Sequence, residues 1–121
     1  MCIKVLVADD AELIRTRIKS LLKDRDDISV IGEAWDFPET IVKVMELVPD
    51  VVLVDLHMID GMEGNLSLPA RPTVIAISCA NDETTKELAG KIGAARLLDK
   101  MDLAEELIPA LLQFATSNKP S

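Results

Sequence analysis

Residues 49–58 read Pro-Asp-Val-Val-Leu-Val-Asp-Leu-His-Met, and the apolar middle, Val51 to Val54, runs without polar alternation. A strand with one wet face alternates, whereas a continuous apolar run needs cover on both faces, the condition of a parallel sheet between helices. The flanking segments repeat that theme. Ile3 to Ala8 is a short β-branched run, and after Asp9 and Asp10 the residues Ile14, Ile18, Leu21 and Leu22 recur at helical spacing. Ile28 to Ala34 reads as a strand. Ile41, Val44, Met45 and Val48 mark a helix opened by Asp36 and Pro38 and closed before Pro49. Then follow a strand over Thr73 to Ile77, a helix over Asp82 to Ile92, a strand over Ala95 to Leu98 and a helix over Leu103 to Leu112.

Alternating strands and helices imply right-handed crossovers, so the expected fold class is α/β, a doubly wound five-stranded parallel sheet in the order 2-1-3-4-5. Ligands of such sheets bind at the carboxyl ends of strands 1 and 3, where the winding reverses. One crossover departs from the pattern. Between Asp55 and Thr73, Gly61, Gly64, Pro69 and Pro72 leave space for about one helical turn. The third crossover helix is therefore expected to be shortened or missing, with apolar surface exposed in its place.

The 121 residues suit one domain, 1–116, with a polar tail or linker start at 117–121. Hydrophobic residues make up 49% and charged residues 28%, ordinary globular values that argue against disorder, fibres and disulfide scaffolds. The net charge of −8 repels phosphate backbones and anionic lipid, so no direct nucleic-acid or membrane partner is expected, and cations and basic proteins are favoured. Cys2 and Cys79 are too few for a disulfide framework, and no apolar run suits a signal peptide or a membrane span. The expected address is a reducing cytoplasm.

Asp9 and Asp10 end strand 1, Asp55 ends strand 3, Ser78 ends strand 4 and Lys100 follows strand 5. Parallel strands bring all these ends to one edge. Three converging carboxylates repel one another unless a hard cation lies between them, and oxygen ligands are what Mg²⁺ takes. Taken singly, each residue has a plainer reading. Asp10 could cap the first helix, Asp55 and Ser78 could start turns, and Lys100 beside Asp99 could be a solvated charge. The joint placement is what argues for a site.

These residues resemble the response-regulator receiver family over nearly the whole chain. The resemblance is carried by Val-Leu-Val-Ala-Asp-Asp at 5–10, Pro-Asp-Val-Val-Leu-Val-Asp-Leu-His-Met at 49–58, Val-Ile-Ala-Ile-Ser at 74–78 and Leu-Leu-Asp-Lys at 97–100. Val-Ile-Gly-Glu-Ala at 30–34 and Gly-Ala-Ala at 93–95 look like the subfamily that often carries a helix-turn-helix output, for which these 121 residues have no room. The resemblance implies a flavodoxin-like fold and a phosphoacceptor, Asp55, that takes its phosphoryl group from a sensor histidine kinase or phosphotransfer protein. It further implies Mg²⁺ held by Asp10, Asp55 and the backbone carbonyl of His57, with Asp9 helping through metal-bound water. Lys100 would meet the phosphoryl oxygens, Ser78 would hydrogen-bond one of them after transfer, and a downstream protein or output domain would read the change. Such a domain is no conventional enzyme: it catalyses only its own phosphorylation and dephosphorylation.

Several positions depart from the family pattern. Leu97 stands where an aromatic reporter is usual, Met101 replaces a frequent proline, and Pro109 should kink the last helix or delay its start. The face formed by helix 4, strand 5 and helix 5, the usual family dimer face, leaves a homodimer possible. His57, the single histidine, either overhangs the phosphoryl group or is a solvated loop residue. Cys79 reads as a packing residue, as do Trp35 and Phe37.

A second reading is a receiver-like scaffold that binds a partner without phosphorylation. A flavin-binding domain of the same winding fits poorly, since Asp9 and Asp10 would repel a flavin phosphate. A P-loop enzyme or a serine hydrolase fails because the sequence has neither a Gly-x-x-x-x-Gly-Lys-Ser/Thr stretch nor a histidine partner near Ser78.

Overall fold

The computed structural model describes residues 2–79 and 82–117. Five strands, β1 (Ile3–Ala8), β2 (Ile28–Ala34), β3 (Val51–Asp55), β4 (Thr73–Ser78) and β5 (Arg96–Asp99), form one parallel sheet in the order β2-β1-β3-β4-β5. Four helices cover it: α1 (Glu12–Leu22), α2 (Phe37–Leu47), α3 (Glu83–Ile92) and α4 (Leu103–Ser117).

Side-chain alternation on the strands sorts the core into two layers. Val5 and Val7 of β1, Val51 and Leu53 of β3, and Ile75 and Ile77 of β4 pack with Ile18 and Leu22 of α1 and Leu103, Leu107 and Leu111 of α4. Their neighbours Leu6, Val52, Val54, Val74 and Ala76 point the other way, toward Phe37 and Val44 of α2 and Leu88 and Ile92 of α3. This two-sided burial is why Val51 to Val54 read as one apolar run.

Local chemistry fixes the helix ends. Asp36 caps α2 by accepting from Glu39 N at 2.8 Å, with Pro38 in the first turn, and Asp82 caps α3 by accepting from Thr85 N at 2.9 Å. Gly93, at φ 73°, closes α3 in the left-handed region that glycine enters without a Cβ clash. The described part of α4 begins at Leu103 and remains helical through Pro109, so the delayed start expected from that proline is not found. The tail from Asn118 onward lies outside the described residues, and α4 itself reaches Ser117.

The third crossover has no α-helix: a 3₁₀ turn at Leu56–Ile59 leads into irregular chain up to β4. The apolar exposure expected from this loss does not occur. Leu56, Ile59, Leu66 and Leu68 are all buried against the β3 and β4 face. The segment is pinned to α3, Leu66 N donating to Lys91 O at 3.0 Å and Lys91 Nζ to Met62 O at 3.3 Å. Four leucine and isoleucine side chains thus do the covering that a helix stripe would have done.

Two packing expectations also need correction. Phe37 is buried, but Trp35, in the short connection between β2 and α2, is 56% exposed. Cys79 is exposed rather than packed, lying just beyond the end of β4.

Candidate functional site

The carboxyl edge of the sheet brings the predicted residues together. Asp9 follows β1, Asp55 ends β3, Ser78 ends β4 and Lys100 follows β5, and all four are largely withdrawn from solvent. Lys100 Nζ lies 3.1 Å from Asp9 Oδ2 and 3.2 Å from Asp55 Oδ1. With its side chain 12% exposed, Lys100 is no solvated surface charge.

The turns that follow each strand aim these groups. Asp9 Oδ1 accepts from Ala11 N at 2.8 Å, and Asp55 Oδ1 accepts from His57 N at 3.1 Å. Each acid is thereby oriented by its own loop, Asp9 turning Oδ2 toward Lys100 and Asp55 leaving Oδ2 unpartnered. Arg15 locks the first loop from below, donating to Asp9 O at 2.6 Å and to Glu33 Oε1 at 3.1 Å. Lys19 joins Glu33 at 2.8 Å, and these hydrogen bonds hold the Glu33 carboxyl below the usual carboxylate range.

Asp10 does not cap α1. The residue at that position is Ala11, and the Asp10 side chain, half exposed, faces His57, with Oδ2 3.5 Å from Nδ1. Asp55 Oδ1 makes the turn-starting contact with His57 N and also faces Lys100 Nζ. Ser78 and Cys79 line the same cleft as Asp55.

An open cleft of about 410 Å³ continues from Asp55 past Ser78 toward the start of α3. Its walls include Asp60, Asp82, Thr85 and Leu88, none of which the sequence marked as site residues. Asp82 carried only a helix-start signal. Asp60 carried none, since nothing local separates a cleft acid from a solvated loop acid.

Electrostatics leaves the site short of positive charge. Three carboxylates, Asp9, Asp10 and Asp55, face one ammonium, so two negative charges are uncompensated. Burial, then the Asp9 carboxylate, push the Asp55 carboxyl above its ordinary value, against the His57 N–H and Lys100. Burial alone would lower the Lys100 ammonium, but Asp55 and Asp9 together raise it, so the lysine stays charged. Asp55 Oδ2 is buried without a hydrogen-bond partner among the described residues, whereas Asp9 Oδ2, equally buried, faces the Lys100 ammonium at 3.1 Å. One ligand atom each from Asp10, Asp55 and His57 lies within 4.8 Å of the others. A buried carboxylate oxygen without a partner, in a pocket with excess negative charge, is the donor a hard dication takes, so these residues fit Mg²⁺.

An acidic pocket closed by one lysine, at the switch point of a 2-1-3-4-5 sheet, defines the receiver class of α/β domains. The chain belongs to the response regulator receiver domain family, whose model matches residues 5–112. It is 37% identical over 119 residues to the response regulator GacA of Pseudomonas syringae, an alignment covering 93% of this chain and 56% of that protein. It is 34% identical over 123 residues to the transcriptional regulatory protein LiaR of Bacillus subtilis, covering 98% of this chain and 58% of that one. The chain thus spans little more than half the length of these relatives. Among solved structures, the signal receiver domain of the response regulator NarL from Mycobacterium tuberculosis superposes with a TM-score of 0.81 at 29% identity, covering 95% of this chain and 97% of that one. No helix among the described residues is long and apolar enough to cross a membrane.

Proposed function

We propose that this receiver domain is phosphorylated on Asp55 by a sensor histidine kinase or phosphotransfer protein in the cytoplasm, and that the modification switches a protein–protein interaction with a downstream protein or output domain. The observation that carries the reading is Asp55 Oδ2, buried, without a hydrogen bond, and on a side chain already paired with Lys100. Mg²⁺, held by Asp10, Asp55 and the His57 carbonyl with Asp9 behind it, would supply positive charge against the phosphoryl oxygens.

The chain's own groups divide the remaining work. Asp55 is the nucleophile: a carboxylate oxygen attacks phosphorus, the P–N bond of the donor phosphohistidine breaks, and its electron pair stays on the departing imidazole. Lys100 stabilises charge on the transferring oxygens, already fixed in place by two carboxylates. Ser78, on the last residue of β4, offers a hydroxyl to the new phosphoryl group, and its movement would carry Cys79 and the chain entering α3 with it. Leu97 replaces the family's aromatic reporter, so the readout would pass through this loop and helix.

The test is incubation with Mg²⁺ and acetyl phosphate followed by intact-mass measurement. The expected result is gain of one phosphoryl group in the wild type and none in Asp55→Asn. An unchanged wild-type mass, under conditions that modify another receiver, would leave the phosphorylation-independent scaffold as the better description.

A further inference from the structure

We infer that the imidazole of His57 is a side-chain ligand of the metal site, making this pocket select a nitrogen-accepting transition-metal dication over Mg²⁺. The inference rests on the reading of the acidic pocket as a metal site, and departs from the all-oxygen ligand set implied by the receiver resemblance.

Three observations carry it. His57 Nδ1 lies 3.5 Å from Asp10 Oδ2, and a donor atom of His57 lies within 4.8 Å of donors from both Asp10 and Asp55. Atoms bound to one ion at roughly 2.1 Å stand about 3 to 4.2 Å from one another, so the trio is close to that spacing already. The second is Asp55 Oδ2, an orphaned carboxylate oxygen on a residue only 1% exposed, which marks this pocket as a place where a ligand atom is missing a partner. The third is freedom of movement. The His57 side chain is 77% exposed, so the small rotation that closes the trio displaces no packed neighbour.

The chemistry then decides the ion. Mg²⁺ takes oxygen ligands, keeps much of its water and gains little from imidazole. Iron, cobalt, nickel and zinc dications bind imidazole well, and affinity for a mixed nitrogen and oxygen site rises from iron through cobalt and nickel to copper and falls again at zinc. Two carboxylates and one imidazole on one side of an open cleft leave further positions for water or a phosphoryl oxygen. The His57 carbonyl remains available as an additional oxygen donor, so one residue could serve the site twice.

Co²⁺ is the probe, because its visible spectrum distinguishes nitrogen from sulfur ligation and His57 is the single histidine of the chain. Co²⁺ and Mg²⁺ are titrated calorimetrically into the metal-free wild type, His57→Ala and Asp55→Asn, with visible spectra of each Co²⁺ complex. The expected result is tighter binding of Co²⁺ than Mg²⁺ by the wild type, and no thiolate charge-transfer band from Cys79. His57→Ala should lose at least the about tenfold in Co²⁺ affinity that even an outer-shell change can cost, shift the Co²⁺ bands, and leave Mg²⁺ affinity within about threefold. Equal losses of both ions in His57→Ala, or an unshifted Co²⁺ spectrum, would overturn the inference while the acidic site stood, provided Asp55→Asn weakened both ions. Failure of the wild type to bind either ion would remove the metal site itself.

Discussion

Lys100 Nζ rests 3.2 Å from Asp55 Oδ1, with the lysine side chain 12% exposed and that of Asp55 2%. An ion pair this sheltered costs desolvation on both sides, and removing one partner strands the other. Lys100→Met should therefore destabilise the metal-free protein by about 3–5 kcal/mol in urea unfolding, because Asp55 and Asp9 are then left facing each other unpaired. A divalent cation should restore part of the loss. A change below about 1 kcal/mol would show the pair to behave like an exposed one.

Asp55 has the opposite effect on stability. Its carboxyl is raised above the ordinary value by burial first and by Asp9 second, so the folded state holds this proton more tightly than the unfolded chain does. Such a group imposes no ionisation cost on the fold below its unfolded value, and the cost grows as pH rises through the folded one. At neutral pH, Asp55→Asn should consequently be more stable than the metal-free wild type, because Asp9 Oδ2 at 3.1 Å still pairs with Lys100 and no ammonium is stranded. The difference should shrink as pH falls from neutrality toward the ordinary carboxylate value. Thermal unfolding of both proteins across that range measures it, and a gap that widens on acidification would contradict the charge assignment.

How much of this was legible in the sequence follows from the range of the forces involved. Strand runs, caps and helical spacing are local, so Val51 to Val54, Asp36 before Pro38 and Asp82 before α3 could be read directly. The convergence of Asp9, Asp55, Ser78 and Lys100 was also readable, because a parallel sheet sends all strand ends to one edge. What could not be read depends on contacts made far along the chain. Leu66 and Leu68 lie in a glycine- and proline-marked stretch with no periodicity, yet they are buried against β3 and β4. The exposure of Trp35 and Cys79, and the facing of His57 and Asp10, depend on loop direction, which residue type does not encode.

The uncompensated charge of the pocket makes stability depend on cations. A ligand that binds only the folded state stabilises it by about 2.7 kcal/mol at a hundredfold excess over its Kd. Wild-type protein should thus show a saturable rise in Tm on titration with a divalent cation, absent at equal ionic strength in NaCl. Asp10→Asn should need a higher cation concentration for the same rise, since it removes one carboxylate charge but, Asp10 being half exposed, little of the fold. Equal shifts in wild type, Asp10→Asn and Asp55→Asn would place the cation elsewhere on this acidic surface.

The irregular third crossover predicts a packing cost where a loop would show none. Leu66 is 7% exposed and its backbone N–H is held by Lys91 O at 3.0 Å, so its side chain is fixed over the β3 and β4 face rather than lying loosely on it. Truncation to alanine removes apolar contacts and leaves a cavity that the sheet, rigid on its far side against α1 and α4, cannot collapse to fill. Leu66→Ala should cost about 2–5 kcal/mol in urea unfolding, whereas Leu66→Met, which keeps the volume, should cost less than about 1.5 kcal/mol. The truncated protein, where still folded, should accept phosphate from acetyl phosphate, because Leu66 is not among the residues lining the cleft. A Leu66→Ala change within about 0.5 kcal/mol of wild type would mean that the segment behaves as surface. The β3 and β4 face would then need other cover, and the apolar exposure expected from the missing helix would return as a possible partner surface.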